Sequence, residues 1–225
     1  MTVINNHSKI NLNATFQEKH KELFKIFSDN NLDVEINADF DLLKNTLTSL
    51  SKDDYPYNYD PSFDGGVGWV PPTTSFALLL KSGDTVISTY AAMKYDCASF
   101  IKDMQSYFVG TYEDVTVDVG SHFYSSCQWV SKDHRGKKLG MGLDHLKKNI
   151  IFDILNGDVN YAIHKESLTN YHSQGLVYDK NVKLATIPDG DVGGAGEKID
   201  KIYNVTWTTK SSWTSKQDDV KKSYS

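Results

Sequence analysis

"VSKDHRGKKLGMGL" occupies residues 130–143, and its reading decides the fold. It follows "HFYSSCQWV" (122–130), which reads as a strand. It leads into Leu139, Leu143, Leu146, Ile150 and Ile154, which recur at helical spacing, with Lys147 and Lys148 on the outward face. A strand that turns straight into a helix leaves the first N–H groups of that helix unpaired, and the helix dipole adds partial positive charge there. Gly136, Gly140 and Gly142 carry no side chain to block a close approach, and Arg135, Lys137 and Lys138 add formal charge. Together they predict an anion cradle suited to a pyrophosphate. A basic turn that only caps a structural helix would use the same letters.

Two other anion motifs do not fit. A dinucleotide fingerprint needs three glycines at other spacings. A P-loop needs Gly-Lys followed by Ser or Thr, which neither this stretch nor "GDVGGAGEK" (190–198) supplies. The second Gly-rich stretch reads as a flexible connection between two strands.

The chain has 225 residues, 39% of them hydrophobic, enough for one large domain. Its net charge of −5 argues against general nucleic-acid binding, which wants a basic face, and suits a cationic or neutral substrate. Two cysteines, Cys97 and Cys127, make no disulfide framework and point to a reducing, cytoplasmic setting. No apolar run reaches the length of a membrane span, and the first residues lack the pattern of a signal peptide, so no membrane role is expected. The seven histidines show no metal-ligand spacing, and no metal is expected.

Helices are predicted over 15–27, opened by a Thr15/Glu18 capping box, and over 39–50. The Pro-, Gly-, Tyr- and Asp-rich stretch 52–72 reads as a loop and 75–95 as a hairpin around "KSGD". A helix over 98–109 and a short strand "VTVDV" precede the strand 122–130. After the long helix come a strand (159–164), a short helix (166–175) closed by Gly175, and an antiparallel pair (182–187 and 202–207). Residues 1–210 form one domain, and the polar tail 211–225 is expected to fray. This order makes a mixed α/β domain around one sheet.

At this point the chain resembles the GNAT superfamily of N-acetyltransferases. Their signature is a strand ending in Val, a few polar residues, then Arg/Gln-x-x-Gly-x-Gly/Ala opening a long helix. Here it reads Val130, "SKDH", Arg135, Gly136, Lys137, Lys138, Leu139, Gly140, with Lys138 where the family usually has its first glycine. A second match is "YHSQGL", with Tyr171 and Gly175 in family positions, Leu176 replacing a Phe, and His164 replacing an Asn seven residues before the Tyr. In element order the resemblance covers roughly residues 75–208.

The resemblance implies a mostly antiparallel twisted sheet flanked by helices and splayed between its fourth and fifth strands. Acetyl-CoA would lie in the splay as co-substrate. Gln128, Trp129 and Val130 would meet its pantetheine arm, Arg135, Gly136, Lys137, Lys138, Leu139, Gly140 and Met141 its pyrophosphate, and His164 would face it from the fifth strand. A backbone N–H near Gln128 would polarise the thioester oxygen. Tyr171 would be the general acid that protonates the departing thiolate. The family's usual base position falls on Tyr124; His122, on the same face, titrates in the right range and is taken as the base, with Glu113 and Asp118 as other candidates. His134 is placed in solvent or near the adenosine 3′-phosphate. Cys127 is a strand cysteine next to the thioester position, with an acyl relay as the alternative.

The acceptor clue is "DDYPYNYDPSF" (53–63), whose carboxylates and rings suit a cationic amine, although a solvated loop reads the same way. The expected activity is acetyl transfer to a small-molecule or protein amine by direct attack in a ternary complex, in a monomer or homodimer. The alternative is a non-catalytic acyl-CoA-binding or interaction module of the same fold.

Overall fold

Strand β3 (Phe76–Ser82) is apolar from Phe76 to Leu80, and all five residues are fully buried. Strand side chains alternate between faces, so an unbroken apolar run needs cover on both sides. The computed structural model describes residues 1–38, 40–51, 54, 75–95, 121–165, 180–184 and 203–224, and it shows that cover. On one side Phe76, Leu78 and Leu80 meet the apolar stripes of α1 (Ala14–Lys19), α2 (Lys21–Asp29) and α4 (Leu139–Asn149). On the other, Ala77 and Leu79 meet Leu43 and Leu47 of α3 (Asp41–Thr48).

The sheet adds β1 (Val3–Asn6), β2 (Asp33–Asn37), β4 (Thr85–Tyr95), β5 (His122–Val130), β6 (Val159–Lys165), β7 (Lys180–Leu184) and β8 (Tyr203–Thr209) to β3. The order is β1-β2-β3-β4-β5-β6-β8-β7, with β1–β2 and β5–β6 parallel and the other pairs antiparallel. This is a mixed α/β fold with a mostly antiparallel sheet flanked by helices. Strands β5 and β6 are those the resemblance counts as fourth and fifth, and they pair only from His122/Val159 to Ser125/Ala162. Both run on past that point, to Val130 and Lys165, so the sheet opens at their carboxyl ends. Buried Asn160 clips the closed end, donating to the Phe123 carbonyl (3.0 Å) and Ser125 Oγ (2.6 Å).

Several sequence expectations change. The helix 15–27 is two helices parted at His20, and its N-cap is Asn13, which accepts from the Phe16 N–H (2.9 Å), so Thr15 and Glu18 form no capping box. Strands β1 and β2 were not expected: β1 is a short edge with mostly exposed positions and shows no alternation. The tail does not fray. It forms α5 (Lys210–Ser215) and α6 (Gln217–Lys222), because Trp213 and Val220 are buried and Tyr224 shares a 2.9 Å hydrogen bond with His145 Nδ1. Lys147 and Lys148 do not face outward. Both are about 1% exposed, and each donates to Asp144 at 2.7 Å. Helix α4 continues as a π turn, Ile150–Ile154, and among the described residues no helix is long and apolar enough to cross a membrane. The stretches read as the helix 98–109, "VTVDV", the helix 166–175 and most of the loop 52–72, and with them Cys97, Glu113, Asp118, Tyr171, Gly175 and Leu176, lie outside the described residues.

Candidate functional site

Phe123 and Val130 both pack on the α4 side of the sheet, while Cys127 and Trp129 pack on the α3 side. Strict alternation cannot put residues 123 and 130 on one face, because they are an odd number of positions apart. One extra residue must be inserted between them. Cys127 supplies it in a left-handed conformation (φ 58°), and between Ser126 and Trp129 β5 takes three steps where β4, from Thr89 to Ala91, takes two. Two buried hydroxyls of β4 hold this bulge. Thr89 Oγ1 donates to the Cys127 carbonyl and Ser88 Oγ to the Trp129 carbonyl, both at 2.7 Å. The bulge lies beyond the last β5–β6 pair, inside the splay.

Past the bulge, Gln128 turns toward α4 and its Nε2 donates to the Gly140 carbonyl (3.2 Å). A single 3₁₀ turn, Lys132–His134, then reverses the chain. Arg135 is extended, Gly136 takes φ 77° with open space where a Cβ would stand, and Lys138 takes φ 60° and ψ 9° as N-cap of α4. The departure from the family motif therefore falls on a left-handed position, where glycine is the unstrained choice. The Gly142 N–H donates to the Lys138 carbonyl (2.8 Å) and begins the helix ladder, so the amides of Leu139, Gly140 and Met141 stand ahead of it.

The three glycines do different work. Gly136 makes the turn. A Cβ on Gly140 would meet Val130 Cγ2 at 3.2 Å, so glycine lets the helix start against the end of β5. Gly142 is no part of the cradle: its Cβ would stand 2.8 Å from Phe27 Cε1, so it serves the packing of α4 on α2.

Lys132, Arg135, Lys137 and Lys138 are exposed around this turn. Arg135 Nε donates to the Val130 carbonyl (3.1 Å) and its guanidinium reaches the Asp54 carbonyl (3.5 Å). Lys132 pairs with the Asp54 carboxylate at 3.0 Å, and that hydrogen bond holds the carboxyl below its usual range. His134 Nδ1 meets Ser131 Oγ at 2.8 Å.

The structure thus brings Gln128, Trp129, Val130 and residues 135–141 into one continuous turn at the open end of the splay. His164 lies across the splay in β6, beyond the last β5 pair and opposite Asn204. His122 is not brought to the turn. It is 4% exposed at the closed end, and five strand residues lie between it and Gln128, a span of about 17–20 Å. Tyr124, half-buried, is nearer the opening.

No family model matches the sequence, and no curated protein is significantly similar to it. Solved structures are. FeeM, an N-acyl amino acid synthase from uncultured soil microbes, superposes with a TM-score of 0.54 at 8% identity, covering 82% of this chain and 93% of that one. Arabidopsis thaliana NAA60, solved with a bisubstrate analogue and with acetyl-CoA, superposes at 0.51 with 11% identity, covering 78% of this chain and 98% of that one. The chain has the GNAT acetyltransferase fold. In that fold the residues missed from sequence are Ser88, Thr89 and Asn160, which fix the bulge and the end of the splay. The bulge had a signal, an apolar Phe and an apolar Val an odd number of positions apart, but one parity break in a nine-residue strand is easily read as noise.

Proposed function

We propose that this GNAT-fold chain is an acyltransferase that passes an acetyl group from acetyl-CoA to an amine by direct attack in a ternary complex. The observation that carries it is the coincidence of three features at one place. The sheet opens between β5 and β6, β5 bulges inside the opening, and α4 presents its first-turn amides and a ring of exposed cations at the mouth. A pyrophosphate fits there: Gly136 leaves open space, the amides of Leu139 to Met141 precede the helix ladder, and Arg135, Lys137 and Lys138 supply charge. Bound acetyl-CoA would bring the activated thioester, and the backbone around Gln128 would donate to its oxygen as negative charge builds.

In this reading Tyr171 protonates the departing thiolate. The amine, which must be neutral to attack, gives its proton to water on the α3 side of β5, relayed toward Tyr124 and His122. A second reading, a non-catalytic acyl-CoA-binding module, is favoured by one observation: on β5 that route offers a tyrosine and a buried histidine rather than a carboxylate.

Two measurements test the proposal. CoA at a hundredfold excess over its Kd should stabilise the fold by about 2.7 kcal/mol, read as a rise in Tm. Free-thiol release from acetyl-CoA across a panel of amines, peptides and proteins should show turnover, and Tyr171→Phe should lower kcat by about 10²–10⁴-fold with less effect on KM. No Tm shift at millimolar CoA would reject the cradle. A Tm shift without turnover of any acceptor would establish the binding module instead.

A further inference from the structure

Trp129 is 8% exposed, and its indole Nε1 has no hydrogen-bond partner among the described residues. A buried indole N–H normally finds an acceptor, and one that does not calls for an explanation. Among the described residues, the buried side chains clustered with it, Leu43, Leu47, Ala77, Leu79 and Ala91, carry no acceptor, and the half-buried Cys127 beside them offers only a weak sulfur acceptor. Two polar groups on the flanking elements make hydrogen bonds elsewhere. Thr46 Oγ1 donates to the Leu42 carbonyl (2.8 Å), and Glu35 takes Lys81 (3.2 Å) and Asn6 (3.2 Å).

The donor is also held in place. The Trp129 carbonyl is tied to Ser88, and its backbone pairs with Thr89. The bulge puts the indole on the α3 side, whereas its neighbour Gln128 turns to Gly140 on the α4 side. One residue step therefore separates a group facing the cradle from a group facing the opposite side of the sheet. A cofactor seated on the first turn of α4 would enter the splay from the first side and leave the second to the acceptor.

We infer that the Trp129 indole N–H is a specificity donor for the acceptor, and that the acceptor is an amine with a carbonyl or carboxylate oxygen beside it, an amino acid or a peptide N-terminus. A polyamine offers only donors when protonated and would leave the indole unpaired. An α-amine brings its own oxygen three bonds from the reacting nitrogen. A site built to hydrogen-bond a substrate group discriminates strongly against analogues that lack it. This inference rests on the acyltransferase reading above.

The test uses matched acceptors with small, aliphatic and aromatic side chains: the free L-amino acid, its amide, a dipeptide beginning with it, and the amine that lacks the carbonyl. Spermidine is added. With acetyl-CoA and the full chain, kcat/KM should favour the oxygen-bearing member of each set by about tenfold or more. Trp129→Phe keeps an aromatic ring and removes the N–H, so this ratio should collapse toward one. The free amino acid and the dipeptide show which source of the oxygen is used. A second measurement needs no active variant. Among the four tryptophan indole N–H resonances of the wild type, assigned by triple resonance, that of Trp129 should move downfield on adding CoA and an amino acid amide, and not on adding CoA with the carbonyl-free amine. A preference for spermidine or the carbonyl-free amines, a ratio unchanged in Trp129→Phe, or a stationary indole resonance would each overturn the inference while leaving the acyltransferase reading intact. If no acceptor turned over at all, that reading would fall, and this inference with it.

Discussion

The chain spells Lys-Lys twice in twelve residues, at 137–138 and at 147–148. The first pair is exposed at the mouth of the splay. The second, ten residues on and inside the helix that this turn opens, is about 1% exposed. Asp144 takes an ammonium on each oxygen, Lys147 Nζ stands 4.0 Å from the centroid of the Tyr90 ring, and Lys148 Nζ stands 5.2 Å from that of Trp213. One carboxylate and two aromatic faces thus share two buried cations. Burial pushes the Asp144 carboxyl up, but Lys147, Lys148 and His145 outweigh that and hold it far below the usual carboxylate range. Burial pushes Lys147 down to about 8, against the opposing pull of Asp144. The same dipeptide is a solvent-facing charge in one place and an internal strut in the other, and neighbours distant in sequence make the difference.

The largest expected effect falls on the strut. Asp144→Ala leaves two buried ammoniums without a carboxylate and should destabilise by about 3–5 kcal/mol in urea denaturation. Lys137→Ala and Lys138→Ala should each stay within about 0.5 kcal/mol of wild type. Equal losses at both sites would break the comparison.

Gly142→Ala comes next, at about 1–3 kcal/mol, because its Cβ would press on the buried Phe27 ring. It should leave CoA affinity per folded molecule unchanged, since Gly142 faces α2. A variant of wild-type stability would refute the packing role.

The third effect depends on pH. Lys147 sits at about 8 in the folded state against 10.5 in the free side chain, so between those values the unfolded chain binds more protons. Stability from this group therefore rises as pH rises from about 8 toward 10.5. Tyr224, raised above its usual range chiefly by burial, acts in the opposite direction only above about pH 10. The Tm of the wild type should climb between pH 7 and 9.5 relative to Lys147→Met. That variant leaves Asp144 and Lys148 matched one to one and should be as stable as wild type, or more so, at pH 7. Parallel Tm profiles would show that Lys147 does not titrate as described.

The exposed pair yields the smallest changes in stability. Lys138→Gly relieves the left-handed N-cap and should gain at most about 1 kcal/mol. Replacing Lys137 and Lys138 together with Ala should weaken CoA binding and flatten its salt dependence, because exposed charges act through a screened field. An unchanged Kd would remove both from the cradle.

Much of the turn at the head of α4 was legible because its parts are contiguous. Turn, glycines, cations and helix start lie between 130 and 143, and local rules link them. The bulge at Cys127 was not, because it shows only as a change of face along β5, and the hydroxyls that hold it lie on β4. Residues 211–225 read as a frayed tail because they are mostly polar. Their anchors Trp213, Val220 and Tyr224 fall at helical spacing, but only contact with His145 and Asn149 gives them a surface to bind.

By itself the sequence determined the features that neighbours in the chain impose on one another: period, turn chemistry, and a helix that begins on charge and glycine. Those depend on backbone geometry and a few adjacent side chains. Tertiary structure alone decided which lysines are buried, which way Trp129 faces and where β5 parts from β6. Each of these is set by groups far away in sequence, whose packing and hydrogen bonds outweigh the local preference of a lysine for water or of a strand for strict alternation.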